Sequence, residues 1–153
     1  MSAAARKSRP PRVFLDSNVI FSGLHSPGGA PGAVLKLMLD RRIRVVISRQ
    51  ILEEVVRTFK KKLPGALPAL NRFFLNSPLE VVGDPSPDEF LRWTETLKEG
   101  DASIFAAAVV ANPDFFVTGD RHFLDNPQLK RKSGLVIGSP GQLLEDLGLE
   151  VNV

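Results

Sequence analysis

The chain has 153 residues, 43% of them hydrophobic and 24% charged, a balance that fits one soluble globular domain and excludes collagen-like, low-complexity and long coiled-coil chains. It has no cysteine and two histidines, which excludes disulfides, thiolate catalysis, zinc ribbons, iron–sulfur clusters and multi-histidine metal sites, so any metal must be held mainly by oxygen. The net charge of +3 rests on Arg6, Lys7, Arg9 and Arg12; the remaining body is near neutral, so overall charge is weak ground for nucleic-acid binding.

Residues 1–12 are rich in Ala, Ser, Arg and Pro and lack the apolar stretch of a secretory leader. They read as a disordered basic tail ahead of a single domain over 13–153. No stretch approaches the roughly 18 continuous apolar residues of a membrane span, and the expectation is a soluble, cytoplasmic protein without a membrane partner. Val13-Phe14-Leu15 reads as a first strand closing on Asp16, and Val19 to Leu24 as a short helix. The Ser26–Gly32 stretch is loop chemistry, and Ala33 to Arg41 a helix with a broad apolar face. Arg44 to Ile47 is a second strand, with Ser48 as N-cap of the next helix. From Arg49 to Leu63, apolar residues recur at Ile51, Leu52, Val55, Val56, Phe59 and Leu63, which is helical spacing. That helix ends in Lys60-Lys61-Lys62, cations at its negative pole, and Pro64-Gly65 stops it.

A shorter helix is predicted over Leu67 to Leu75, a strand over Leu79 to Val82 and an amphipathic helix over Asp88 to Glu99. Asp101 reads as the cap of a helix running through Val110, apolar nearly all round and hence buried. Phe115 to Thr118 is a strand followed by the turn Gly119-Asp120; Leu135 to Ile137 is a last strand and Pro140 to Leu147 a last helix. Strands that alternate with helices, and are short apolar runs, belong to a mostly parallel sheet with helices on both sides: the α/β class. In such sheets the ligand crevice lies beyond the carboxyl ends of the strands.

That rule selects carboxylates. Asp16 follows the first strand and Asp120 follows the Phe115–Thr118 strand across one glycine. Glu53 and Glu54 open the helix after the second strand, and the short Asn112-Pro113-Asp114 connection puts Asp101 at the same end. Each has an ordinary structural reading: Asp101 as an N-cap, Asp120 as a turn residue, Glu53 and Glu54 as a solvated helix face. Asp16 is hardest to explain that way, because an acid closing an apolar strand is poor sheet chemistry. Crowded carboxylates repel and raise each other's pKa, and a hard divalent cation removes that cost while leaving positions for phosphate. The reaction class that this pattern suggests is metal-assisted phosphodiester hydrolysis.

Four motifs then occur in order. The run Val13-Phe14-Leu15-Asp16-Ser17-Asn18-Val19-Ile20-Phe21-Ser22 resembles the opening of PIN-domain ribonucleases. Ser48-Arg49-Gln50-Ile51-Leu52-Glu53-Glu54 resembles their second motif, Gly100-Asp101-Ala102-Ser103-Ile104 the third, and Val117-Thr118-Gly119-Asp120-Arg121-His122-Phe123 the fourth. The resemblance spans about residues 13–147 and is nearest to the toxin components of bacterial and archaeal toxin–antitoxin pairs, the VapC type. It implies a three-layer α/β/α sandwich and a Mg²⁺ or Mn²⁺ site formed by Asp16, Glu54, Asp101 and Asp120. The offset from Ser48 favours Glu54 over Glu53; periodicity leaves the two open. Asn18, Ser48 and Thr118 would orient the carboxylates. Asp125 is an auxiliary acid or, alternatively, a turn residue. Where relatives often carry another acid, this chain has His122.

The implied activity is cleavage of RNA to 5′-phosphate and 3′-hydroxyl ends. Contacts to RNA would come from Arg57, Lys60, Lys61, Lys62, Arg121, Lys130, Arg131 and Lys132, with the cluster of Lys130, Arg131 and Lys132 favoured because it follows the fourth motif. An antitoxin protein and a second copy of the chain are the implied partners. A phosphatase of the haloacid-dehalogenase type would want an acid where Asn18 stands, and no phosphate-binding P-loop, G-x-G-x-x-G or G-x-S-x-G occurs. The remaining rivals are an RNA-processing nuclease outside a toxin–antitoxin pair, and a PIN fold that binds RNA or protein without cutting.

Overall fold

In the computed structural model, residues 9–149 are described; most of the expected basic tail, residues 1–8, lies outside them. Strand β1 (Arg12–Leu15) is the spine, its Val13, Phe14 and Leu15 fully buried. It pairs in parallel with β2 (Arg44–Ser48) on one side and β4 (Phe115–Val117) on the other. β3 (Leu79–Val82) joins β2 and β5 (Ile137–Gly138) joins β4, giving a five-stranded, all-parallel sheet of order β3-β2-β1-β4-β5 among the described residues. A strand with side chains packed on both faces has no polar side, which is why β1 reads as an unbroken apolar run.

The chain first steps outward, β1 to β2 to β3, then returns across β1 to β4 and on to β5. Right-handed crossovers put helices of the outward and return legs on opposite faces, which makes the three-layer α/β/α sandwich. The outward leg holds α1 (Ser17–His25), α2 (Ala30–Leu39), α3 (Arg49–Lys62), a 3₁₀ turn at Pro64–Ala66 and α4 (Leu67–Asn76). The return leg holds α5 (Pro87–Leu91) and α6 (Glu99–Ala111), and α7 (Arg121–Leu124) and α8 (Pro127–Ser133) precede β5. Helix α9 (Pro140–Asp146) closes the described chain and packs on α2. On the α6 face an aromatic stack fills the core: Phe14 lies on Phe116 at 5.5 Å, and Phe105 meets Trp93 at 4.8 Å and Phe116 at 5.5 Å. The direction of travel reverses between β1 and β4, so the crevice rule points to their carboxyl ends.

Several boundaries differ from the sequence reading. Helix α2 begins at Ala30 rather than Ala33, because Pro31 suits a first helical turn and Gly32 lets the turn close: a Cβ there would stand 2.1 Å from the Pro27 carbonyl oxygen. The expected helix over Asp88 to Glu99 is only α5, opened by a Ser86–Glu89 capping box; past Leu91 the Thr94 hydroxyl donates to the Leu91 carbonyl at 2.9 Å and the chain continues in turns. Asp101 is not an N-cap. Helix α6 starts at Glu99 with Lys98 in the cap position, and Asp101 sits inside the first turn. Strand β5 falls on Ile137–Gly138 rather than Leu135–Ile137. The basic cluster of Lys130, Arg131 and Lys132 lies on α8, with Pro127 in its first turn and Gly134 at φ 73° after it.

Candidate metal centre

Asp16 leaves β1 and caps α1, accepting the Ser17 amide at 2.8 Å on Oδ1. Its own amide donates to the Val117 carbonyl at 2.9 Å, which locks it to the end of β4. On Oδ2 it accepts the Thr118 hydroxyl at 2.7 Å and Asn18 Nδ2 at 3.1 Å. Thr118 Oγ1 in turn accepts the Asp120 amide at 2.9 Å, and Asn18 Oδ1 accepts the Gly119 amide at 2.9 Å. Asn18 and Thr118 thus stitch the ends of β1 and β4 around one carboxylate that is only 3% exposed. Burial raises the Asp16 pKa to about 6; hydrogen bonds from Thr118 and Ser17 oppose the rise, and the charges of Glu54 and Asp120 add to it.

Glu54 reaches this point from the second turn of α3. Its Oε2 accepts the Ser17 hydroxyl at 3.0 Å, and Oε1 faces Gln50 Nε2 at 3.4 Å. Gln50 also donates to the Gly100 carbonyl at 3.2 Å and accepts the Ser103 hydroxyl, so it ties α3 to α6. Glu53, one position earlier, points away and pairs with Arg49 at 3.1 Å on the surface. Of the two acids that periodicity leaves open, Glu54 is the one turned toward Asp16. Among the described residues Ser48 hydrogen-bonds to no carboxylate; its buried hydroxyl accepts the Ile51 amide at 3.2 Å and so fixes the start of the helix that carries Glu54.

Asp101 and Asp120 meet across His122. Asp120 caps α7 by accepting the His122 amide at 2.9 Å, and the imidazole Nδ1 lies 3.4 Å from Asp120 Oδ1 and 3.5 Å from Asp101 Oδ2. One ligand atom from each of the three lies within 4.8 Å of the others. The Asp101 pKa is raised by burial and by the Asp120 charge, against the opposing influence of His122 and Lys98. The four acids therefore form two overlapping groups, Asp16 with Glu54 and Asp120, and Asp101 with Asp120. Among the described residues no Lys or Arg is ion-paired with any of them. Concentrated carboxylate oxygen with one imidazole and no paired Lys or Arg is a donor set that fits a hard divalent cation.

Arg57 and Lys61 line a cavity with Ser17 and Glu54. Arg121 and Asp125 are exposed and pair with each other at 3.6 Å, so Asp125 is a surface residue at the C-cap of α7. Lys130 lines a 270 Å³ cavity with Val136, Ile137, Glu145 and Asp146, and Arg131 and Lys132 are exposed on the same helix. Ser17, Gln50 and Ser103 are site residues that sequence reasoning passed over. The signals were present: Ser17 inside the polar run that ends β1, and Gln50 one turn before Glu54.

Residues 12–122 match the family model described as the PIN domain. An uncharacterized protein of Methanocaldococcus jannaschii is 25% identical over 145 residues, covering 88% of this chain and 90% of its own. Three solved structures share the fold. VapBC2 from Rickettsia felis, bound to a DNA fragment from its promoter, aligns with a TM-score of 0.59 at 18% identity over 84% of this chain and 98% of that one. A Pyrobaculum aerophilum protein gives 0.59 at 21% identity over 91% and 90%, and FitAcB from Neisseria gonorrhoeae 0.57 at 17% over 84% and 97%.

Proposed function

Because the chain belongs to the PIN-domain family, we propose that it is a Mg²⁺- or Mn²⁺-dependent ribonuclease that hydrolyses RNA phosphodiester bonds, the toxin of a toxin–antitoxin pair. The observation that carries this reading is the convergence of Asp16, Glu54, Asp101 and Asp120, from four separate elements, on the carboxyl edge of the sheet at the β1–β4 reversal. Burying an acid beside other acids costs stability, and a fold keeps such a cost where a bound cation relieves it. All four acids are carboxylates in this chain, which favours a working site over a PIN fold that only binds.

The residues divide the work. Asp16, Glu54, Asp101 and Asp120 would hold the metal, with His122 beside the last two. A divalent cation there would supply Lewis-acid polarisation of the phosphodiester, a more acidic water and charge neutralisation of the leaving oxygen. Thr118 and Asn18 fix the Asp16 carboxylate, so little reorganisation remains when substrate arrives. Ser17 and Gln50 hold both oxygens of Glu54 beside Asp16. In-line attack by water with departure of the 3′ oxygen, the course that the family resemblance implies, would leave 5′-phosphate and 3′-hydroxyl ends.

The toxin reading is supported by the shared fold with VapBC2 and FitAcB, whose chains are matched almost end to end. An antitoxin segment that covers the acid edge is the partner this predicts, and the exposed apolar side chains of the outer helices and strands are available for a homodimer. Incubating the protein with a mixed RNA pool in Mg²⁺ or Mn²⁺, against EDTA, tests the activity. Cleavage should require the metal and fall by at least a hundredfold in Asp16→Asn and Asp101→Asn while both variants stay folded. Binding of RNA without cleavage under either metal would replace the nuclease by a binding module. A short antitoxin-like gene beside this one would separate a toxin from an RNA-processing enzyme.

A further inference from the structure

Next to the acids, on the α3 side, lies a small cavity of about 240 Å³ framed by Ser17, Glu54, Arg57, Thr58 and Lys61. Its helical members fall at i, i+3, i+4 and i+7, one continuous face of α3 leading away from the carboxyl edge. Ser17 and Glu54 belong to both the cavity and the acid network, so the two are contiguous. The Thr58 hydroxyl is turned back onto the Glu54 carbonyl at 2.9 Å, which leaves Arg57 and Lys61 as the charged donors of the cavity.

What sets those two cations apart is place: both line the cavity that shares Ser17 and Glu54 with the acid network. Arg12, Arg49 and Arg121 are each ion-paired, and Lys62 lies over the Phe21 ring at 5.3 Å. Among the described residues Arg57 and Lys61 have no carboxylate partner, although Glu54 is on the same helix face; its oxygens are taken by Ser17 and Gln50. The opposite flank of the acids is different. There a 430 Å³ cavity is lined by Asn18, Val19, Pro31, Gly119, Asp120 and Pro140 among others, with no Lys or Arg. The cluster on α8 offers no substitute, because Lys130 shares its cavity with Glu145 and Asp146 and with none of the four acids. Of these two cavities that border the acids, the one on α3 carries the cations.

We propose that the cavity between Arg57 and Lys61 is a phosphate subsite that holds the phosphate neighbouring the scissile one in a single-stranded RNA substrate. The inference rests on the nuclease reading above and assigns the direction in which the strand leaves the acids: along α3. A guanidinium and an ammonium one turn apart bind an unpaired anionic backbone and read no base, so the subsite gives affinity and register and not sequence choice. A single strand fits better than a duplex because its backbone can bend into a cavity this small while its bases splay outward.

The test compares wild type with Arg57→Gln, Lys61→Gln and the double variant on a fluorescent single-stranded RNA. Binding is read by anisotropy in EDTA across a salt series, and cleavage by initial rates in Mn²⁺. The double variant should bind about tenfold more weakly, with a log–log salt slope shallower by about 0.7 for the one phosphate released, and should show the same loss as a higher KM. Single variants should each show a smaller part of it, and Lys61→Arg should retain most of the affinity. If wild type cleaves RNA but the double variant matches it in affinity, slope and KM, the subsite is wrong and the nuclease reading stands. If wild type neither binds nor cleaves RNA, both fall. If wild type binds without cutting, the nuclease reading falls, and the binding arm alone decides whether Arg57 and Lys61 hold phosphate.

Discussion

Asp16 is where opposing influences on a single group are most finely set. Three donors favour its charged form, and burial together with two neighbouring acids disfavours it more strongly. A folded-state pKa near 6 against an ordinary 3.8 means that the native metal-free protein holds a proton that the unfolded chain releases. Stability is therefore lost as pH rises from about 4 to 6, by about 3 kcal/mol in the limit, and no more is lost above that range. Asp16→Asn removes the titration. Its stability relative to metal-free wild type should climb between pH 4 and 6 and then level off, and urea unfolding across that range measures it; a difference independent of pH would contradict the burial argument. At the same scale lies part of what the sequence could not settle. Glu53 and Glu54 are adjacent and equally acidic, and only the docking of Ser17 and Gln50 selects the second. Asp101 looks like a cap in sequence because aspartate favours that position; the helix instead starts two residues earlier, which frees its carboxylate for the site.

At the scale of elements, the strands of the spine were legible because burial on both faces leaves no polar residue to confuse the pattern. Val13–Leu15, Val45–Ile47 and Phe115–Val117 are apolar runs, and each ends at a site residue or a cap. Helix α3 was legible for the converse reason: its apolar stripe repeats cleanly and Ser48 opens it. The Asp88–Glu99 region misled because Trp93 and Leu97 are buried at helical spacing without being in a helix; separate turn bonds, Trp93 amide to Phe90 carbonyl at 3.1 Å and Leu97 amide to Trp93 carbonyl at 2.9 Å, stand where a continuous helical ladder was expected. The Ser26–Gly32 stretch misled because its Pro and Gly residues read as loop, whereas Pro31 and Gly32 build the first turn of α2. Gly32→Ala tests that account. Its Cβ would collide with backbone, which cannot swing aside, so we expect a loss of about 1–3 kcal/mol in thermal unfolding. The same change at Gly28, where a Cβ meets nothing, should cost far less, and equal losses would refute the close-packing explanation.

For the whole molecule, the decisive feature is where the sheet changes direction. The reversal between β1 and β4 gathers residues separated by more than a hundred positions, Asp16 and Thr118, into one hydrogen bond. The crevice rule anticipates this from the alternation of strands and helices, which is why the meeting of the β1 and β4 ends was legible in the sequence. Charge is distributed to match: acids at the carboxyl edge, unpaired cations on α3 beside them, and a cavity without Lys or Arg across from them. No helix among the described residues is long and apolar enough to cross a membrane.

Thermal unfolding with and without Mn²⁺ probes the shared metal site directly, because a ligand that binds only the folded state raises Tm by mass action. At about a hundred times its dissociation constant, the ion should raise the wild-type Tm by about 5–10 °C, and the rise should be much smaller in Asp16→Asn and in Asp101→Asn. Equal shifts in all three proteins would mean that these carboxylates do not share an ion, and the account would be wrong at its centre.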